Sequence, residues 1–303
     1  MKEWIVHHSL SDLYASLGQP MEQDLDFTIH TLPDIKFEVP YQSPTYRAEY
    51  FSFVFVKSGS GWYTLDDQRF RTGPGTLYFT NPGHWKSFEV ETRTDGYIIT
   101  LTESFLRENV HPDIFEEFPF LLAETVPPTI LSPEAMTEFE ATYEHILREF
   151  QGNSPYRERI LGNLFAVLLL KIKECSCLNY NPLEEGDRSS AIVQKFKRLV
   201  ERNFAERSQG SSASGNQVQD YARELHLHPN YLSQVIKSKT GQPVHHWIAQ
   251  RQLSTAKTLL RNTSLSAKEI SFRLGFSEAT HFSRFFRKHT GQSPGNYRKT
   301  VSS

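Results

Sequence analysis

Two short stretches of this chain carry the same arrangement of hydrogen-bonding and basic residues. Residues 281–294 read HFSRFFRKHTGQSP, and fifty residues earlier the chain reads YLSQVIKSKTGQP from Tyr231. Lys237 matches Arg287, and Thr240-Gly241 match Thr290-Gly291. Basic and amide side chains of this kind can bind the phosphates or the base edges of a nucleic acid. The sequence therefore predicts two nucleic-acid contact segments of similar design.

Each segment is the second of two short helices joined by a tight turn. In the first copy VQDYAREL (218–225) precedes YLSQVIKSK (231–239), and in the second AKEISFRL (267–274) precedes SEATHFSRFFRKH (277–289). Gly275 stands at the second turn, where glycine adopts a left-handed backbone at little cost. Apolar residues fall on one side of every helix, which leaves a polar and basic side outward. This pattern predicts two helix-turn-helix motifs.

The outward side chains differ in what they could recognise. Arg284 has the geometry to pair with guanine, and Gln234 and Asn230 can pair with adenine. Arg287 and the lysines are better suited to phosphates, which set affinity and salt dependence but not sequence preference. The candidate DNA-binding residues are Asn230, Tyr231, Ser233, Gln234, Lys237, Thr280, His281, Ser283, Arg284, Arg287 and Lys288.

A longer helix, predicted over 243–261, separates the two motifs. At 1.5 Å per residue it spans about 27 Å. With the width of the flanking motifs, the two outward helices can sit near ~34 Å apart, the separation of successive major grooves on one face of B-DNA. The alternative is a helical repeat whose basic faces are only solvated.

The charge of the chain is divided unequally between its two halves. Residues 188–303 hold 19 Lys or Arg and 6 Asp or Glu, a balance of +13. Subtraction from the totals of 33 and 35 leaves 14 against 29, or −15, for residues 1–187. Such asymmetry favours a nucleic-acid-binding or membrane-surface module in the basic half, although a solvated basic surface would give the same balance.

Residues 218–298 resemble the DNA-binding domain of the AraC/XylS family of bacterial transcription regulators. The matching segments are PNYLSQVIKSKTGQP, LSTAKTLL and AKEISFRLGFSEATHFSRFFRKHTGQSPGNYR. The resemblance implies a seven-helix domain with recognition helices Asn230–Lys239 and Glu278–Lys288, and RNA polymerase as a partner. The sequence departs from the family pattern at three places: Ala279 stands at a position suited to a polar base reader, His226 replaces the glycine of the first turn, and the polar Ser/Gly loop 206–217 looks inserted.

The region from about residue 25 to residue 101 has the pattern of a small β-sandwich or barrel. Short β-rich runs such as FSFVFVK (51–57), TLYFT (76–80) and GYIITL (96–101) alternate with turn signals such as GSG, GPG and NPG. Regular spacing without intervening helices is typical of such folds. In many members of the AraC/XylS family an N-terminal cupin-like barrel senses a small effector, and this region resembles that arrangement.

Aromatic and polar residues in or near the strands are candidates for effector binding. They are Tyr46, Arg47, Phe53, Trp62, Tyr78, His84, Trp85 and Tyr97. A cupin enzyme would require several metal ligands, and residues 51–80 contain no histidine, so we expect no metal, no cofactor and no catalysis. Two alternatives remain: a barrel that binds no ligand and serves dimerisation or protein contacts, and a cupin enzyme fused to a DNA-binding tail.

Residues 133–177 predict a hairpin of two helices. Met136, Phe139, Tyr143 and other apolar residues recur at spacings of three and four after Ser132, a predicted N-cap. The wide apolar face of this hairpin needs a partner. We expect the same hairpin of a second subunit, which would make a homodimer, and the barrel is the alternative.

Together these patterns predict an α+β protein of two domains. Residues 1–180 form the effector-sensing and dimerisation domain, 181–190 the linker, and 191–303 an all-α DNA-binding domain with two helix-turn-helix motifs. The N-terminus lacks the apolar segment of a signal peptide, and no apolar run approaches ~20 residues. With only two cysteines besides, we expect a cytoplasmic protein.

Overall fold

The computed structural model describes residues 4–16, 25–35, 38–66, 68–122, 126–177, 188–210 and 215–301. The chain divides into two compact units. The first contains Met1–His111 and Phe118–Glu185, and the second contains Pro112–Glu117 and Gly186–Ser303. The segment Pro112–Glu117 therefore groups with the second unit, although its sequence position lies within the predicted first domain. Residues 181–187 of the predicted linker lie outside the described residues.

The first unit is built around two facing β-sheets. Its strands are β1 (Trp4–His7), β2 (Phe27–Thr31), β3 (Tyr41–Gln42), β4 (Thr45–Ala48), β5 (Phe51–Ser58), β6 (Gly61–Leu65), β7 (Gln68–Thr72), β8 (Thr76–Thr80), β9 (Trp85–Val90), β10 (Asp95–Leu101) and β11 (Thr129–Ile130). One sheet has the order β1-β4-β9-β6-β7, with β3 also paired to β9, and the other has the order β11-β8-β5-β10-β2. The predicted strand-rich, cupin-like domain is confirmed. Its strands form two separate hydrogen-bonded sheets.

Strand β5 packs against different partners on its two faces. Because successive side chains of a strand point to opposite faces, its odd-numbered and even-numbered residues have different neighbours. Phe53 contacts Phe165 with ring centroids 5.0 Å apart, and Phe55 contacts Tyr143 at 5.8 Å. The residues of β5 that line a cavity between the two sheets are Ser52, Val54 and Val56.

Among the described residues, five α-helices precede the basic half of the chain. They are α1 (Leu10–Ser16), α2 (Glu103–Phe105), α3 (Ile114–Glu117), α4 (Pro133–Gln151) and α5 (Arg157–Ile172). Helices α4 and α5 form the predicted hairpin, and the Ser132 hydroxyl caps α4 by accepting from the Ala135 N–H at 3.2 Å. The aromatic contacts of β5 show that the five-stranded sheet covers apolar residues of the hairpin. A contribution from a second subunit stays a prediction.

The second unit is helical in its described part. Its further helices are α6 (Arg188–Ser208), α7 (Val218–Glu224), α8 (Pro229–Thr240), α9 (Val244–Asn262), α10 (Ala267–Arg273), α11 (Ala279–Thr290) and α12 (Pro294–Val301). Residues on the predicted apolar sides of these helices, such as Leu232, Ile236 and Phe282, meet in one apolar core. Phe285 belongs to the apolar side of α11 as well, but it is only partly buried against that core. Residues 211–214 of the Ser/Gly loop lie outside the described residues.

Gly162 marks a close approach between α5 and the backbone at Asn109. A Cβ atom at Gly162 would overlap the Asn109 carbonyl group. We therefore expect Gly162→Ala to lower the free energy of unfolding by ~1 to 3 kcal/mol, as overpacked sites do, measured by urea unfolding. Gly295→Ala is the control, because a Cβ there meets nothing within 4 Å. Equal stability of the Gly162 variant and the wild type would show that this approach is looser than described.

Candidate nucleic-acid interface and ligand cavity

Helix α8 holds the first set of candidate base-reading residues at the surface. Asn230, Tyr231, Gln234 and Lys237 are exposed, and Ser233 is half-buried. The N-terminus of the helix is capped by the His228 side chain, which accepts a hydrogen bond from the Asn230 N–H. Pro229 occupies the first helical position. Within the described chain, the side chains of Asn230, Gln234 and Lys237 have no hydrogen-bond or ion-pair partner. They remain available to an external partner.

Helix α11 presents the second set in the same way. Its exposed candidates are Thr280, His281, Arg284, Arg287 and Lys288. Ser283 is half-buried, and its hydroxyl donates to the Ala279 carbonyl at 2.9 Å. The Thr280 hydroxyl donates to the Glu278 carboxylate at 2.9 Å. The two arginines and Lys288 form no ion pair with the described residues, so their positive charge is uncompensated.

The two motifs share details that go beyond their sequence match. Helices α8 and α11 both end in a left-handed glycine, Gly241 with φ of 76° and Gly291 with φ of 74°. The Thr240 hydroxyl donates to the carbonyl four residues earlier at 2.7 Å, and the Thr290 hydroxyl does the same at 2.8 Å. The repeat is therefore structural as well as sequential, and it presents two equivalent outward faces.

A cavity of about 460 Å³ lies between the two sheets of the first unit. Its size falls in the range of small-molecule sites. Three of the candidate effector-binding residues line it, namely Tyr46, Trp62 and Tyr78. The Trp62 ring stacks against the guanidinium groups of Arg69 and Arg71, at 4.3 and 5.0 Å. Tyr46 and Tyr78 are the candidates whose even-numbered positions in β4 and β8 direct them between the sheets.

The candidates that do not line this cavity are Arg47, Phe53, His84, Trp85 and Tyr97. The Arg47 guanidinium lies 4.5 Å from the ring centroid of Trp85. His84 Nδ1 lies 2.7 Å from Asp66 Oδ2, and the backbone N–H of Trp85 donates to the same carboxylate. The two candidates of the five-stranded sheet contact the helical hairpin instead. Strand alternation explains this placement, since residues one position apart face opposite sides.

Lys86 is a cavity residue that the sequence analysis missed. It is only 4% exposed, and its Nζ donates to the Thr80 hydroxyl at 2.9 Å. The ammonium group lies 6.0 Å from the ring of Tyr46 and 5.5 Å from the ring of Tyr50. Burial lowers the pKa of Lys86 to about 7, against the opposing effect of the Asp66 charge. The sequence signal that could have identified it is the alternation of β9, in which Lys86 shares one face with Phe88 and Val90.

Tyr63 adds a second polar group without a full set of partners. Its hydroxyl is buried and has no hydrogen-bond partner among the described residues. Its ring stacks on that of Tyr78, with centroids 4.1 Å apart and planes within 6°. Burial raises the pKa of both tyrosines, so both hydroxyls stay neutral donors. The cavity therefore contains donor groups that an acceptor on a ligand could satisfy.

Two features are absent from the described part of the chain. No group of three or more His, Cys, Asp or Glu residues is placed there to hold a metal ion. None of the described helices is long and apolar enough to cross a membrane.

The turns of the two motifs predict a measurable difference in strain. Gly275 has φ of 82°, and His226 holds the same left-handed region with φ of 54°. A side chain in this region costs energy that glycine avoids. We expect His226→Gly to raise the free energy of unfolding by ~0.5 to 1 kcal/mol and Gly275→Ala to lower it, measured by urea unfolding. A destabilised His226→Gly variant would mean that the imidazole makes contacts that outweigh the strain.

Lys86 predicts a pH dependence of stability with a definite sign. An unfolded lysine has a pKa of about 10.4, so between about pH 7 and pH 10 the unfolded state binds more protons than the folded state. The free energy of unfolding therefore rises with pH across this window. Relative to Lys86→Met, we expect the wild type to gain about 2 kcal/mol from about pH 7 to pH 9, measured by urea unfolding at each pH. Parallel pH profiles would contradict the burial of this amine.

Two family models match the chain in the order of its two units. The model of an AraC-like ligand binding domain matches residues 40–161. The model of a helix-turn-helix domain matches residues 221–300. The first match covers most of the strands together with α4, and the second covers α8 to α11, including both predicted recognition helices.

Curated relatives are similar over both long and short alignments. The Msm operon regulatory protein of Streptococcus mutans is 31% identical over 143 residues, which are 47% of this chain and 48% of that protein. The arabinose operon regulatory protein of Escherichia coli is 27% identical over 160 residues, 53% of this chain and 51% of that protein. An uncharacterized HTH-type transcriptional regulator of Bacillus subtilis, YfiF, is 22% identical over 91% of this chain and 85% of its own length. The first two alignments thus span about half of each relative.

The matched ligand binding domain lies in the strand-rich first unit, and the matched helix-turn-helix domain lies in the second unit. This order agrees with the one that the sequence predicts. The chain belongs to the AraC/XylS family of transcriptional regulators.

Proposed function

We propose that the chain is a sequence-specific DNA-binding transcription regulator whose first unit binds a small-molecule effector. The observation that carries the DNA-binding part is the pair of helices α8 and α11. Each is held by a buried apolar side and presents exposed basic and amide side chains without partners in the described chain. A surface of this composition is suited to phosphates and base edges.

The roles of individual residues follow from their chemistry and exposure. Arg284 would pair with guanine, and Gln234 and Asn230 with adenine. Lys237 and Lys288, near the C-terminal ends of their helices, would neutralise phosphates. Ser283 contributes less than the sequence suggested, because its hydroxyl already donates within α11.

Helix α9 separates the two motifs and would set their spacing on DNA. Its 19 residues span about 28 Å. With the flanking helices this length suits a separation of ~34 Å, one turn of B-DNA. One chain would then contact two successive major grooves from one face of the duplex.

The effector part of the proposal rests on the cavity between the sheets. Tyr46, Trp62 and Tyr78 remain the sequence-derived candidates that line it. The alternative is a first unit that binds no ligand and serves only dimerisation or protein contacts. Thermal unfolding with a metabolite panel separates the two, since a ligand of the folded state raises the melting temperature. A fused cupin enzyme is the least supported alternative, and metal analysis of the purified protein tests it.

Fewer observations support partners other than DNA. The exposed side of α5 carries Val167 and Leu170, 44% and 51% exposed, which could pack against a second copy in a homodimer. RNA polymerase as a partner rests on the family resemblance.

Two substitutions on α11 test the proposed division of roles. Arg284→Ala should weaken binding to one half of the operator by ~1 to 3 kcal/mol and relax base preference there. Lys288→Ala should weaken binding to all DNA about equally and flatten the salt dependence. The measurement is a fluorescence-anisotropy titration at several salt concentrations, with sites selected from random DNA.

Lys195→Ala is the matched control, because it removes one exposed positive charge of α6, outside both recognition helices. It should leave base preference unchanged. Unchanged operator binding by both α11 variants would show that this helix does not read DNA.

A further inference from the structure

The cavity between the sheets is polar at one end. On the five-stranded sheet Ser52 pairs with Thr80, and at the next inward position Val54 pairs with Tyr78. Lys86 reaches the Thr80 hydroxyl from the facing sheet. The polar groups therefore meet in one layer of the cavity, and the adjoining layer is largely apolar.

The facing sheet continues this change from polar to apolar. The inward positions of β9 are, in order, Lys86, Phe88 and Val90. The stack of Tyr63 on Tyr78 joins the second layers of the two sheets. Four residues along a strand cover about 13 Å, so an apolar wall of this length extends from the ammonium group.

Lys86 has no carboxylate partner within ion-pair distance among the described residues. Asp66, the acidic group that acts on its charge, is bound to His84 and to the Trp85 backbone. Glu89 also borders the cavity, but its carboxylate is paired with Arg69 at 2.9 Å.

Apart from Arg93, an exposed cationic residue that also lines the cavity, the other titratable groups around Lys86 are neutral near pH 7. Those that act on it or line the cavity are His7, Tyr14, Tyr46, Tyr50, Tyr63 and Tyr78. Burial lowers the pKa of His7 and raises the pKa of each tyrosine. At the polar end of the cavity, the acidic group that acts on Lys86 is therefore Asp66, which is already bound to His84 and forms no ion pair with the amine.

We propose that this cavity binds an amphipathic monocarboxylate, with the carboxylate on Lys86 Nζ and the apolar body along Val54, Phe88 and Val90. The proposal rests on the proposed effector-binding function of the first unit and specifies its ligand class. One negative charge balances the buried ammonium group of Lys86, and buried charges in proteins are stable when paired. A second charge would lie against the apolar wall, and a sugar would leave most of its hydroxyl groups without partners there.

Binding also has a proton linkage. A carboxylate beside Lys86 favours the protonated amine, so the complex takes up a proton wherever the free cavity holds a neutral amine. Affinity should therefore fall as pH rises above about 7, the pKa of the buried amine.

The test is calorimetric titration of the full chain with decanoate and with 4-phenylbutanoate, each compared with its neutral alcohol and kept below micelle-forming concentrations. At least one acid should bind at least ~10-fold more tightly than its alcohol. That advantage should disappear in Lys86→Met and persist in Lys195→Met, which removes an exposed lysine of the second unit. Repeating the titration near pH 8 in buffers of different ionisation heat should show net proton uptake.

Other outcomes separate this proposal from the proposed function. Alcohols that bind as tightly as acids, or acid binding that survives in Lys86→Met, would overturn the carboxylate assignment and leave effector binding standing. A mass increase fixed by borohydride after incubation with an aldehyde, without binding of acids, would mean that Lys86 acts as an imine-forming amine instead. Failure of these probes together with a whole metabolite panel would remove both the ligand class and the effector part of the proposed function, while DNA binding, measured separately, would stand.

Discussion

The two proposed recognition helices, α8 and α11, depend on one shared apolar core. Leu232 and Ile236 of α8 and Phe282 and Phe286 of α11 are buried in it. Because one side of each helix is fixed by this burial, the opposite side must face outward, and that side carries the basic and amide residues. The positions of the proposed DNA contacts are thus consequences of packing. Long arginine and lysine side chains without internal partners then give both outward faces a positive potential.

In the first unit, the buried position of Lys86 costs stability. A lysine between two sheets loses hydration, and a single hydroxyl from Thr80 does not replace it. Methionine at the same position would fill similar space without that cost. The proposed ligand would supply the interaction that Lys86 lacks in the free protein. Binding sites in general contain residues that lower the stability of the free protein in this way. The proposed ligand would offer the unsatisfied Tyr63 hydroxyl in the same cavity a partner as well.

Much of the fold could be predicted from local patterns. The duplicated motif, the hairpin with its Ser132 cap and the strands from β5 to β10 follow from periodicity and from turn residues. Strand β1 could not be predicted in this way, because its parallel pairing with β4 joins residues some forty positions apart. Phe53 and Tyr97 were placed among the cavity candidates because both faces of β5 and β10 are covered, which conceals the alternation that separates inward from outward residues. Lys86 was overlooked since lysine in a strand ordinarily faces solvent.

In the proposed binding mode, one chain contacts two successive major grooves from a single face of DNA. Hydroxyl-radical footprinting of the full chain on a duplex with one half-operator tests it most directly. The expected result is two protected segments on the same face, with centres about 10 base pairs apart. A single protected segment, or protections on opposite faces of the duplex, would contradict it.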